Sequence, residues 1–109
     1  MFERTLTCNG ETCTIRMSVP FVGEAGEYIC CYEIIMQDQS AKRKAFGVDA
    51  IQAFMMALMQ AGSFLYSGKL IDPEKTFWLS PHDMGYLGLP VPIEDQERLP
   101  SGPKLILAM

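Results

Sequence analysis

The chain has 109 residues, 49% of them hydrophobic and 20% charged, with nine Lys or Arg against thirteen Asp or Glu and a formal net charge of −4. Folding at this length hides roughly 65% of the surface that an unfolded chain exposes, enough for one core, and the composition is too apolar and too weakly charged for a disordered chain. The acidic balance has the wrong sign for displacing counterions from phosphates, which excludes nucleic acid as an expected partner.

One domain spanning residues 1–109 is expected, of α+β class, with an antiparallel sheet of four to six strands and one long helix across one face, in the order β-β-β-β-α-β-β. Residues 2 to 19 read as a hairpin, because Asn9-Gly10 tolerates the two positive φ angles of a type I′ turn. A two-residue loop there places Leu6 opposite Cys13, Arg4 opposite Ile15 and Phe2 opposite Met17. Phe2, Leu6, Cys13, Ile15, Met17 and Val19 then share one face, while Thr5, Thr7, Thr12, Thr14 and Arg16 share the other. Pro20, Gly23 and Gly26 interrupt the alternation. Glu27 to Gln37 resumes it, with Tyr28, Cys30, Tyr32, Ile34 and Met36 on one side of a central strand. A turn at Asp38-Gln39-Ser40 leads to a fourth strand near residues 41 to 46. Its Lys42-Arg43-Lys44 cluster is read as a solvated surface.

Asp49 followed three residues later by Gln52 fits a capping box, and Ile51, Phe54, Met55, Leu58, Met59, Leu65 and Tyr66 then recur at helical spacing up to a stop at Gly68. Met56, Ala53, Ala57 and Ala61 widen the apolar surface, so the helix is expected to be covered on more than one side. The uncharged run from Ala50 to Tyr66 is about three residues short of the roughly 20 that a membrane span needs and contains Gln52, Gln60, Gly62 and Ser63. No membrane association is expected. Beyond the helix six prolines permit only short pieces: a strand near Thr76 to Leu79, a loop through Ser80 to Pro92, and a last strand at Lys104 to Ala108.

Phe46-Gly47-Val48-Asp49-Ala50-Ile51-Gln52-Ala53-Phe54, then Ala57-Leu58, Trp78 and Gly88-Leu89-Pro90, resembles a family of small uncharacterised bacterial proteins with a Gly-x-Asp-x-x-Gln-Ala helix start, a Trp and a Gly-apolar-Pro motif. The resemblance implies a bacterial origin and a sheet crossed by one helix. It brings no activity and no site residues.

The chemistry-bearing residues do not assemble into a catalytic pattern. Zinc would need converging thiolates, but Cys30 and Cys31 are strand neighbours that point to opposite faces. The N-terminal residues lack the apolar stretch of a secretory signal, so a cytoplasmic location with reduced thiols is expected. The single histidine, His82, sits in the turn Ser80-Pro81-His82-Asp83, away from any activated thiol. Phosphate loops, nucleophile elbows and His-Glu-x-x-His runs are absent from the sequence. The expected function is therefore non-enzymatic and cofactor-free: docking on another protein, a basic one, as an inhibitor or by analogy a toxin-immunity protein. Glu94, Asp95 and Glu97 would steer the partner, and the Met55, Met56 and Met59 surface would repack against it. The alternative is a small-molecule-binding regulatory module with a pocket between helix and sheet near Tyr32, Trp78 and His82. A homodimer through the apolar helix or terminal strand is compatible with either.

Overall fold

A computed structural model describes residues 1–8, 10–68, 71, 75–78 and 87–90. The described elements are β1 (Phe2–Cys8), β2 (Glu11–Met17), β3 (Phe21–Val22), β4 (Tyr28–Ile35), β5 (Ser40–Gly47), α1 (Ala50–Tyr66) and β6 (Thr76–Phe77). They form an α+β fold in which an antiparallel sheet of six strands carries one long helix on one face.

The first hairpin has the register set by its turn. Phe2 pairs with Met17, Arg4 with Ile15 and Leu6 with Cys13, and Gly10 takes a φ of 80°, the left-handed region that the turn requires. β4 pairs with β5 along its whole length and, on its other edge, with β2 at residues 32–35 and with β3 at Tyr28 and Ile29. β3 thus continues β2 along the same edge after a bend through Ser18, Val19 and Pro20. Pro20 has no N–H to give to a ladder. Just before it Ser18 bridges the gap with its own groups, donating its N–H to the Cys31 carbonyl at 2.8 Å and accepting the Cys31 N–H on its hydroxyl at 2.9 Å. This two-residue β3 is the strand not anticipated from the sequence. Of the two strands expected after the helix, the first is present as β6, paired with β1 at Thr7 and Cys8. The second, at 104–108, lies outside the described residues.

α1 begins as its sequence predicts. The Asp49 carboxylate accepts the Gln52 N–H at 2.7 Å, but the Gln52 side chain reaches one residue further back than the cap and accepts from the Val48 N–H, also at 2.7 Å. Gly68, with φ 79°, ends the helix and donates its N–H to the Leu65 carbonyl.

The stripe that meets the sheet consists of Ala53, Ala57, Ala61 and Leu65, one residue per turn and all fully buried. Small side chains let the helix axis come close to β4 and β5, whose facing residues include Cys30 and Ala45. Gly47 makes the same approach possible at the strand-to-helix connection, where a Cβ would collide with the backbone of Gln52 and Ala53. Phe54, Leu58 and Met59 flank the stripe half-buried, while Ile51 and Met55 are exposed. The opposite sheet face, with Thr5, Thr12, Arg16, Glu33 and Lys42, carries no described helix.

Candidate functional site

One end of the sheet gathers the apolar surface that the fold leaves uncovered. By register Phe2 and Met17 are level with Tyr32 and Arg43, while β4 and β5 run on beyond them to Tyr28 and Gly47, where β3 pairs with β4. Phe2 of β1, Val19 of the bend, and Phe21 and Val22 of β3 are exposed at this end. So are Phe46 of β5, Val48 at 85% exposure, and Ile51 and Met55 of α1, Ile51 at 72%. With Met1, these are all of the exposed large apolar residues among those described. None lies at the other end, where the Gly10 and Gln37–Gln39 turns and the C-terminus of α1 are found.

Two concavities belong to this region. One is lined entirely by apolar residues, among them Val19, Pro20, Ile51 and Met55, with a volume of about 310 Å³. The other, of about 410 Å³, opens between α1 and the sheet and is walled by Ile15 and Met17 of β2, Phe54 and Leu58 of α1, and Gly88-Leu89, with Arg4 at its margin. Phe2 and Phe54 stand between them edge to face, with centroids 5.3 Å apart.

Arg4 fastens the margin of the second cleft. Its guanidinium donates to the Gly88 carbonyl at 2.5 Å, lies 3.7 Å from the Trp78 ring centroid, and makes a longer bond to the Leu87 carbonyl at 3.4 Å. Gly88 must be glycine here. Its φ is 70°, and a Cβ would run into the Trp78 ring. Behind it, the buried Tyr66 hydroxyl accepts the Leu87 N–H at 3.2 Å. The Gly-apolar-Pro motif and Trp78 thus form one packed unit against β1 and α1.

Tyr32 is buried on β4, where its hydroxyl donates to the Gln60 side-chain oxygen of α1 at 3.2 Å. Burial pushes its phenol upward, partly offset by Arg43. Trp78 stacks on Arg4 of β1, and β2 separates β1 from β4. The two ring systems are therefore engaged with different strands. His82, Glu94, Asp95 and Glu97 lie outside the described residues.

All four cysteines are free thiols, with Cys8, Cys13 and Cys30 buried and Cys31 half-buried. Burial, reinforced by neighbouring Cys8, pushes the Cys13 thiol up to about 11. Cys30 is also raised by burial, partly offset by a hydrogen bond with the Ser18 side chain. These are the properties of unreactive core thiols. Among the described residues no group of three or more His, Cys, Asp or Glu side chains could hold a metal ion, and no helix is long and apolar enough to cross a membrane.

The charges at the apolar end are mixed, with the Met1 amino group and Lys44 beside several carboxylates. Residues 17–41 and 45–68 contain no Lys or Arg, and their acidic members at this end are Glu24, Glu27 and Asp49. Glu27 Oε2 is buried without a hydrogen-bond partner, its side chain folded over Gly23, where a Cβ would also touch Ile29. Cations adjoin it: Arg16, paired with Glu3 at 2.9 Å, and Lys44, opposite Cys31, line a concavity with Met1. Sequence periodicity places Phe2 and Val19 on the core face and so does not reveal this surface; of the Met55, Met56 and Met59 side chains expected to meet a partner, Met55 is exposed and the other two are half-buried.

No curated protein and no solved structure matches the chain. A family model does, and its span takes in every described element together with Gly47, Asp49, Gln52, Trp78 and Gly88-Leu89-Pro90. The chain belongs to the family described as Domain of unknown function (DUF6968), whose model matches residues 2–91.

Proposed function

We propose that this domain acts without chemistry of its own, by docking on another protein through the end of the sheet formed by Phe2, Val22, Phe46, Val48 and Ile51. The observation that carries this reading is the segregation of exposed large apolar residues to that one end. Scattered singly, such residues would need no explanation, but their gathering at one end of β1, β3, β5 and α1 supports an interaction site there. Inhibitor and toxin-immunity roles are special cases of this reading and rest on analogy alone.

The test is a photo-crosslinking amino acid placed at position 48 or 51 at the apolar end, and at position 37 at the other, in the source cell. A protein crosslinked from the first two positions, absent from the third and lost in Ile51→Ser, is the expected outcome. Crosslinking only to a second copy of the chain, or equally from both ends, would overturn the proposal.

A second reading, a small-molecule-binding module, is favoured by the cleft of about 410 Å³ between α1 and the sheet, a volume within the usual range of ligand pockets. A ligand there would sit beside the Arg4–Trp78 stack. Fluorescence of the single Trp, unchanged across a library of apolar metabolites, would dispose of it.

A further inference from the structure

The sheet face that carries no described helix holds a concavity of about 380 Å³. We propose that it binds a small organic phosphate monoester, with the phosphate held among Arg16, Lys42 and Lys44 and an apolar body laid against Met1. This site goes beyond the docking reading, and it is not the cleft between α1 and the sheet, because it opens on the opposite face.

Two adjacent rungs of the sheet build it. On one, Arg16 of β2, Glu33 of β4 and Lys42 of β5 stand side by side. On the next, Cys31 lies opposite Lys44 and is bonded on its other side to Ser18. β4 therefore supplies a floor of two half-buried residues, and long basic side chains rise from the strands on both sides. Neighbouring strands are about 4.8 Å apart, so Arg16 and Lys42 spring from backbones roughly 10 Å apart and can close on one group between them.

Charge selects what fits. The chain is acidic at −4, yet Arg16, Lys42, Arg43 and Lys44, four of its nine basic residues, line this one concavity. Arg16 gives only its Nε to Glu3, at 2.9 Å, which leaves its two terminal nitrogens for a forked bond to phosphate. Glu33 lies 3.9 Å from Lys42, beyond hydrogen-bond distance. Lys44 and Arg43 have no carboxylate partner among the described residues, and Arg43 donates instead to the Lys42 carbonyl at 2.8 Å. Four cations thus meet two carboxylates, Glu3 and Glu33, and the surplus matches a phosphate monoester, whose charge at pH 7 is about −1.5 to −2. The volume is larger than a bare phosphate fills and lies within the range of small-molecule pockets, with the exposed Met1 side chain as an apolar wall.

The experiment titrates the isotopically labelled full chain with phenyl phosphate and follows its backbone amide shifts, with inorganic phosphate and benzyl alcohol testing the two halves of the probe separately. Phenyl phosphate should shift Cys31, Glu33 and Lys44 saturably and bind about fivefold tighter than inorganic phosphate, while benzyl alcohol leaves them unmoved. The double variant K42Q/K44Q should bind about tenfold more weakly, and E33Q, which removes the carboxylate from the floor, about threefold more tightly. K75Q, at an exposed lysine beside β6 and across the sheet from β5, should bind as the unaltered chain does. All four positions are exposed or half-buried, so these variants keep the fold. Equal weakening in K75Q, shifts spread over every basic residue without saturation, or E33Q binding no tighter than the unaltered chain overturns the site. A hexaglutamate peptide that shifts the same amides at lower concentration than phenyl phosphate also overturns it, and assigns the concavity to an acidic protein segment.

Discussion

Two residues of the same helix, Leu65 and Ile51, should separate folding from recognition. Leu65 is fully buried against the sheet, and truncating such a side chain to Ala removes its transfer free energy and leaves a cavity, at a cost of about 3 kcal/mol. Unfolding entropy of about 2.1 cal/mol/K per residue puts the accompanying fall in Tm near about 13 °C for a chain of this length. Ile51 is 72% exposed. Only about a quarter of the roughly 1.5–3 kcal/mol available from burying an Ile can be at stake, and about 0.4 kcal/mol returns because Ala is the better helix former. Ile51→Ala should therefore change stability by no more than about 0.5 kcal/mol. Urea unfolding of both variants, followed by far-ultraviolet circular dichroism, measures the two costs on one scale. A loss above about 1.5 kcal/mol for Ile51→Ala would mean that this side chain is covered, and the bare apolar end would no longer exist as a surface.

Three further outcomes are expected. Gly62→Ala should destabilise by about 1–2 kcal/mol although Ala favours helix by about 1 kcal/mol, because a Cβ at this position collides with the Pro90 carbonyl; increased stability would show that Pro90 does not pack there. Arg4→Met should shift Trp78 emission to longer wavelength and speed its quenching by iodide, since both the cation over the indole and the tie to the Gly88 carbonyl are lost; an unchanged spectrum would refute the stack. The Cys13 thiol should make the fold weaken in base: its folded value is raised to about 11, so its contribution is intact below the unfolded value of about 9.0 and is lost as pH rises from there to about 11. Urea midpoints across that interval, compared with those of Cys13→Ala, check the sign. A slope that persists unchanged in the variant would assign it to other groups.

The parts of the fold legible in the sequence are those governed by neighbours along the chain. Asn9-Gly10 fixed the hairpin register because a two-residue turn leaves no freedom in which residues face one another. Asp49, Gln52 and Gly68 marked the ends of α1 because capping is a local hydrogen-bonding requirement. What the sequence hid depends on packing between distant segments. Periodicity selects the large residues of a helix as its inner face, yet here the flat sheet takes the alanines and leaves Ile51 and Met55 outside. Likewise Val19 follows the alternation of β2, but the bend before Pro20 turns it out to the surface. The apolar end was illegible for the same reason. It is assembled from four elements, and apart from Met55 its contributions are not picked out by the sequence until the strands are placed side by side. The link between Trp78 and Arg4 spans most of the chain and has no signature in either segment.

The outermost strand on the helix-bearing side has its own consequence for how the protein lives among copies of itself. β5 carries Lys42, Arg43 and Lys44 in succession, all exposed, along an edge that pairs with no other described strand. Were two such edges to zip together antiparallel about Arg43, Arg43 would lie against its own copy and each Lys42 against a Lys44, placing like charges at adjacent rungs. A strand of eight residues would otherwise offer a ready template for open-ended stacking into fibres. The basic triplet opposes such zipping along that border.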